Sequence, residues 1–128
     1  MMLRLPVPPS TNHLFATYGD RRVRTREYRA WAAAAGWEMQ SQPRQAVKGP
    51  VALHFYLPFN ARRDISNYVK PLEDLLVVHR MIEGDSMKIV RRLTVAIHPE
   101  NFVGVKIEPF TEPLAELNVF RPAGACAA

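Results

Sequence analysis

Cysteine is almost missing from this sequence: one residue, Cys126, sits in a run of small side chains near its end. A lone thiol excludes a disulfide framework and a thiolate metal site within one chain, and a reducing, cytoplasmic setting is the expectation. Long hydrophobic runs are missing too. No apolar stretch of about 18 residues occurs, and Pro6, Pro8 and Pro9 interrupt the N-terminal segment before a signal-peptide core forms. A soluble, unprocessed protein with no membrane partner is therefore expected. Acids are short relative to bases, 12 Asp plus Glu against 17 Lys plus Arg, which gives a net charge of +5 and a pI near 9.8. The excess favours an anionic partner, but charge by itself leaves DNA, RNA and membrane surfaces open. The four histidines, His13, His54, His79 and His98, are scattered without metal-ligand spacing, and none is assigned a catalytic role. There is no internal repeat.

What is present is enough apolar material for one core: 48% of 128 residues, on the scale of a single domain. Met2 to Val7 alternates weakly and stops at Pro8-Pro9-Ser10, a short strand running into an arginine-rich loop that lasts to about Thr25. From Thr25 a helix is predicted. Thr suits the cap, Glu27 suits the first turn, and Tyr28, Trp31, Ala32, Ala35 and Met39 recur at helical spacing until Pro43 ends the pattern. Trp31 reads as core, and Trp37 as core or an intersubunit contact. Val51, Leu53, Phe55 and Leu57 alternate between Pro50 and Pro58 and mark a central strand. Ile65, Val69, Leu72, Leu75 and Leu76 mark a second helix, with Pro71 close enough to its start to be tolerated. Two strands follow, Ile89 to His98 and Val103 to Pro109, with a connection short enough for a hairpin. The fold class predicted is α+β: a mixed sheet with helices packed on one face, in the order β-α-β-α-β-β. Residues 1–110 are read as the domain, and 111–128 as a poorly ordered extension.

Two acids stand at element ends. Asp64 lies where the basic turn Ala61-Arg62-Arg63 hands over to the second helix, and Asp85 lies in the turn before the next strand. Hard divalent cations prefer carboxylate oxygens and often need only one or two of them beside water and substrate phosphate. A metal held by Asp64 and Asp85 would activate water and neutralise a scissile phosphate, with Lys70 adding a fixed positive charge. Each residue also has a plain structural reading. Asp64 is a ready helix cap, Asp85 an ordinary turn residue, and Lys70 with Asp74 an ion pair four residues apart on a helix. Singly, those plain readings are the stronger ones.

The run Asp64-x-x-Asn67-x-x-Lys70, followed by Glu83-Gly84-Asp85-Ser86, closely resembles the RusA family of Holliday-junction resolvases. So do Pro8-Pro9-Ser10-Thr11-Asn12, Glu27-Tyr28-Arg29 and Asp74, so that the resemblance spans about Leu5 to Phe110. It implies a homodimeric, Mg²⁺-dependent endodeoxyribonuclease (with Mn²⁺ as a substitute) that makes paired nicks in four-way DNA junctions in recombination and repair. By the same resemblance Asp64 and Asp85 bind the cation, Asn67 supports them, and Lys70 lies at the scissile phosphate. The family's second acid is here Ser66, a neutral oxygen at that metal position, and Gly84 stands where an acid often precedes Asp85. A weaker cation site follows, and so does the alternative of a junction-binding protein with reduced or lost catalysis. An RNA-directed module fits the charge but not the motif. Arg21, Arg22, Arg24, Arg62 and Arg63 are the candidate DNA contacts, because clustered arginines repel one another unless an anion is near. Phe15 and Tyr18 read as core packing or loop anchors, with base stacking at an opened junction as the functional alternative.

Overall fold

The structure, a computed structural model, describes residues 2–10, 15–18 and 21–115. It contains β1 (Met2–Leu5), β2 (Phe15–Tyr18), β3 (Arg21–Arg24), α1 (Arg26–Ser41), β4 (Val51–Pro58), α2 (Ser66–Val78), β5 (Val90–His98) and β6 (Val103–Pro109). The main sheet has the order β1-β6-β4-β5 and is mixed: β4 pairs parallel with β5 and antiparallel with β6. The predicted α+β class holds.

β4 is the centre because both of its faces tolerate cover. Val51, Leu53, Phe55 and Leu57 are fully buried, and Ala52 on the other face is nearly so. Across the neighbouring strands Leu3, Leu5, Val103 and Val105 extend the same apolar face, onto which α1 places Trp31, Ala35 and Met39 and α2 places Tyr68, Leu72, Leu75 and Leu76. Each helix buries the stripe that its 3.6-residue period gathers on one side. Thr25 caps α1 as its sequence suggests, its hydroxyl accepting from the Tyr28 N–H at 3.2 Å. The Trp31 indole N–H donates to the Pro6 carbonyl at 2.9 Å, so the ring joins the core without a stranded donor. Trp37, by contrast, is 75% exposed and takes no part in the core.

Two expectations change. The arginine-rich segment read as loop contains an antiparallel hairpin, β2–β3, as a separate two-stranded sheet. The hairpin expected between the last two strands is not formed, because β4 lies between β5 and β6. A short connection is compatible with either arrangement. The most apolar strand takes an interior position, where both edges are paired and its faces are farthest from the sheet rim, and α2 supplies the crossover that a parallel β4–β5 pair requires. The connection passes over the end of β4, where the Phe59 N–H donates to the His98 carbonyl at 2.9 Å. Of the C-terminal extension, 116–128 lies outside the described residues.

Candidate active site

α2 sets up the site by its period. Asp64, Asn67, Lys70 and Asp74 follow one another at three- and four-residue intervals and so share one side of the helix and its entry turn, away from the buried leucines. The cap of α2 is not Asp64. Ile65 occupies that position with no side-chain cap bond, and it is the Asp64 main-chain carbonyl that accepts from the Asn67 N–H at 3.0 Å. Among the described residues the Asp64 carboxylate makes no hydrogen bond or ion pair. The plain reading of Asp64 as a capping side chain is therefore not what the structure contains.

The far end of α2 brings Asp85 in. Arg80 adopts a positive φ of 58° after the helix, and the Met81 N–H returns to the Leu76 carbonyl at 2.9 Å. This reversal buries Met81 and Ile82 and delivers the next turn to the exposed side of α2. Lys70 Nζ then donates to Asp85 Oδ2 at 2.8 Å while lying 3.0 Å from Asp74 Oδ1. The hydrogen bond to Asp85, followed by that to Asp74, holds the Lys70 ammonium far above its ordinary pKa. The same bond draws the Asp85 carboxyl below its usual range. Glu73, which the sequence did not single out, has its carboxyl raised by burial and then by the negative charge of Asp85. Its place beside Asp74, three residues after Lys70, was the available signal. Glu83 is elsewhere: its carboxylate accepts the Gly49 N–H at 3.1 Å in the turn before β4, where φ is +75°.

The basic residues divide. Arg62 is exposed, with its main-chain N–H on the Asn60 side-chain oxygen at 3.0 Å. Arg63 turns inward: its guanidinium donates to the Pro8 and Pro9 carbonyls at 2.8 and 3.0 Å and stacks over Tyr68 at 4.1 Å. It ties the N-terminal Pro-Pro segment to the start of α2. The side chains of Phe15, Tyr18, Arg21, Arg22 and Arg24 lie outside what the structure describes. Ser66, exposed, opens α2.

Carboxylate oxygens at Asp64, Asp74 and Asp85 are donors of the kind a hard divalent cation takes. Among the described residues no three of His, Cys, Asp and Glu are placed to hold one ion together.

An oxygen-rich cluster around a protonated lysine, on a basic single-domain α+β fold, is the kind of site that phosphodiester chemistry uses. The family model of the endodeoxyribonuclease RusA matches residues 6–108, and the chain belongs to that family. The family acts on branched junction DNA as an endodeoxyribonuclease, which supports nuclease activity for this chain. No curated protein matches the chain. No helix among the described residues is long and apolar enough to cross a membrane.

Proposed function

We propose that this protein is a structure-selective endodeoxyribonuclease that resolves four-way DNA junctions by paired, divalent-metal-dependent hydrolysis. The observation that carries the reading is the position of Lys70 between Asp85 and Asp74, on the helix whose entry turn carries the exposed Asp64.

In this reading Asp64 and Asp85 hold Mg²⁺ or Mn²⁺, with the Ser66 hydroxyl as a neutral oxygen nearby and Asn67 supporting the Asp64 turn. A bound divalent cation supplies charge neutralisation at the scissile phosphate and a more acidic water. Lys70 has its charged form favoured by the hydrogen bonds to Asp85 and then to Asp74. It therefore serves as a fixed cation against the phosphate rather than as a proton donor. Arg21, Arg22, Arg24 and Arg62 contact phosphates of the arms, while Arg63, already engaged by Pro8 and Pro9, supports the turn that carries Asp64. A junction has approximate two-fold symmetry, so a C2 homodimer presents two equivalent sites to strands of like polarity, and paired nicks follow.

The test is incubation of the full chain with an end-labelled synthetic four-way junction, with and without Mg²⁺ or Mn²⁺, resolved on native and denaturing gels. Symmetric, metal-dependent nicks are expected. A shifted but uncut junction would instead favour a binding protein whose catalysis is limited by Ser66, and preference for structured RNA over the junction at one salt concentration would defeat the reading.

A further inference from the structure

At the entry of α2, one residue from Asp64, lies an apolar surface that hydrolysis does not use. Phe59 follows the last residue of β4 and is 72% exposed. Its main-chain N–H continues the β4–β5 ladder onto the His98 carbonyl. Ile97 at the end of β5 and Ile65 at the start of α2 are each about half exposed, at 51% and 50%. With Leu57, Pro58 and Tyr68 these side chains line an open cavity of about 280 Å³. Leaving an aromatic ring and two isoleucines in water wastes the burial that each would gain in a core. Ile65 directly follows Asp64, so an occupant of this cavity lies one residue from a carboxylate assigned to the cation.

We propose that this cavity receives an unstacked nucleobase of the DNA strand being cut, with Phe59 as its stacking platform; the proposal rests on the function given above. Three observations favour a base over other occupants. The wall is mainly aromatic and aliphatic, with Asn60 and the already engaged Arg63 as its polar members, which matches the face and edge of a base better than a phosphate. Arg62, exposed three residues after Phe59, offers the charge that the attached phosphate needs. The backbone that carries the platform is anchored by the Phe59 N–H bond to the His98 carbonyl, which limits the main-chain ordering cost on binding. Because the platform meets the face of a base, its preference among the four bases is weak.

The experiment uses the full chain and a four-way junction carrying 2-aminopurine at a branch-point nucleotide, without divalent metal. Binding of the wild-type protein should brighten the probe as the base leaves the stack. Phe59→Ala should abolish most of the brightening and weaken junction affinity roughly 5- to 100-fold, the range that loss of one base–aromatic stack produces. Phe59→Trp should preserve affinity. The ring is exposed, so neither change touches the core, and an unaltered melting temperature verifies this. An unbrightened wild-type complex, or equal brightening and affinity in Phe59→Ala, overturns the proposal. So does a Phe59→Ala variant that brightens the probe normally but sediments as a smaller species than wild type, because the patch would then be a contact between two copies. Metal-dependent nicking of the same junction is read in parallel: wild-type brightening without nicking sinks the nuclease reading and leaves the base site standing, whereas nicking without brightening does the reverse.

Discussion

Two clusters on this molecule have the same ingredients and opposite consequences. On the helix side, Lys70 bridges Asp85 and Asp74, with Glu73 near and Asp64 at the entry of the same helix. On the open face of the sheet, Lys106 bonds Glu108 at 2.9 Å, and Glu108 in turn meets His54 Nε2 at 3.0 Å, while His54 Nδ1 lies 2.5 Å from the Thr94 hydroxyl. Both lysines are raised and both bonded carboxyls lowered, in each case chiefly by the shared hydrogen bond. Shift direction alone does not separate a site from a surface ion pair. What separates them is balance. Lys106 and Glu108 are neighbours on one strand face, one charge of each sign, and His54 saturates the remaining oxygen. Around Lys70 two acids contact one cation, Asp74 from α2 and Asp85 from the turn before β5, and the charge of the half-buried Glu73 acts on the same group. Excess negative charge held by separate elements is what an added cation relieves, whereas a balanced exposed pair contributes little in water.

The largest break in the comparison should come from Asp85→Asn, which removes a charge at nearly constant size. Metal-dependent cutting should fall by more than the roughly 10- to 100-fold that losing a mere supporting partner of a metal ligand costs. Junction binding, measured by gel shift, should persist, and unchanged turnover would remove Asp85 from the site. Next, Lys70→Met should lower the single-turnover rate by roughly 100- to 1,000-fold, whereas Lys106→Met should leave rate and melting temperature unchanged. Equal effects of the two would dissolve the distinction between the clusters. Ser66→Asp sharpens it from the other side: a restored carboxylate should lower the Mg²⁺ concentration for half-maximal cutting about tenfold or raise the rate. An unchanged Mg²⁺ titration would mean that another group fills that position.

The smallest effect concerns pH. Asp85 is lowered in the folded protein, so its contribution to stability is present above the ordinary carboxylate pKa and is lost as pH falls through the folded value. Glu73 is raised, so the folded state holds its proton longer than the unfolded chain does, and its contribution declines as pH rises through that window. Glu73→Gln should therefore raise the melting temperature slightly at neutral pH and not in acid. A fall at neutral pH would show that the Glu73 charge is used, as a second acid near Asp85 would be.

Much of this was readable in advance where the signal is local. The Thr25 cap, the stripe Tyr28-Trp31-Ala35-Met39 and the alternation along β4 each follow from the periods of helix and strand, and the structure contains them. Asp64, Asn67, Lys70 and Asp74 share a helix side for the same reason. The insertion of β4 between β5 and β6 was not readable, because a short link between the outer strands is equally consistent with direct pairing. Nor was the inward turn of Arg63: a guanidinium's partners here are carbonyls more than fifty residues away, and no local pattern encodes them.

By itself, then, the sequence determined both helices, the four strands of the main sheet, the basic charge and the shared helix side of Asp64, Asn67, Lys70 and Asp74, since these depend on near-neighbour spacing and on composition. Only the tertiary structure decided that Asp85 meets Lys70, that the Asp85 charge acts on Glu73, that Arg63 is engaged and that the exposed Phe59 shares a cavity with Ile65. Those outcomes depend on which apolar faces bury one another, and that packing carries distant segments together.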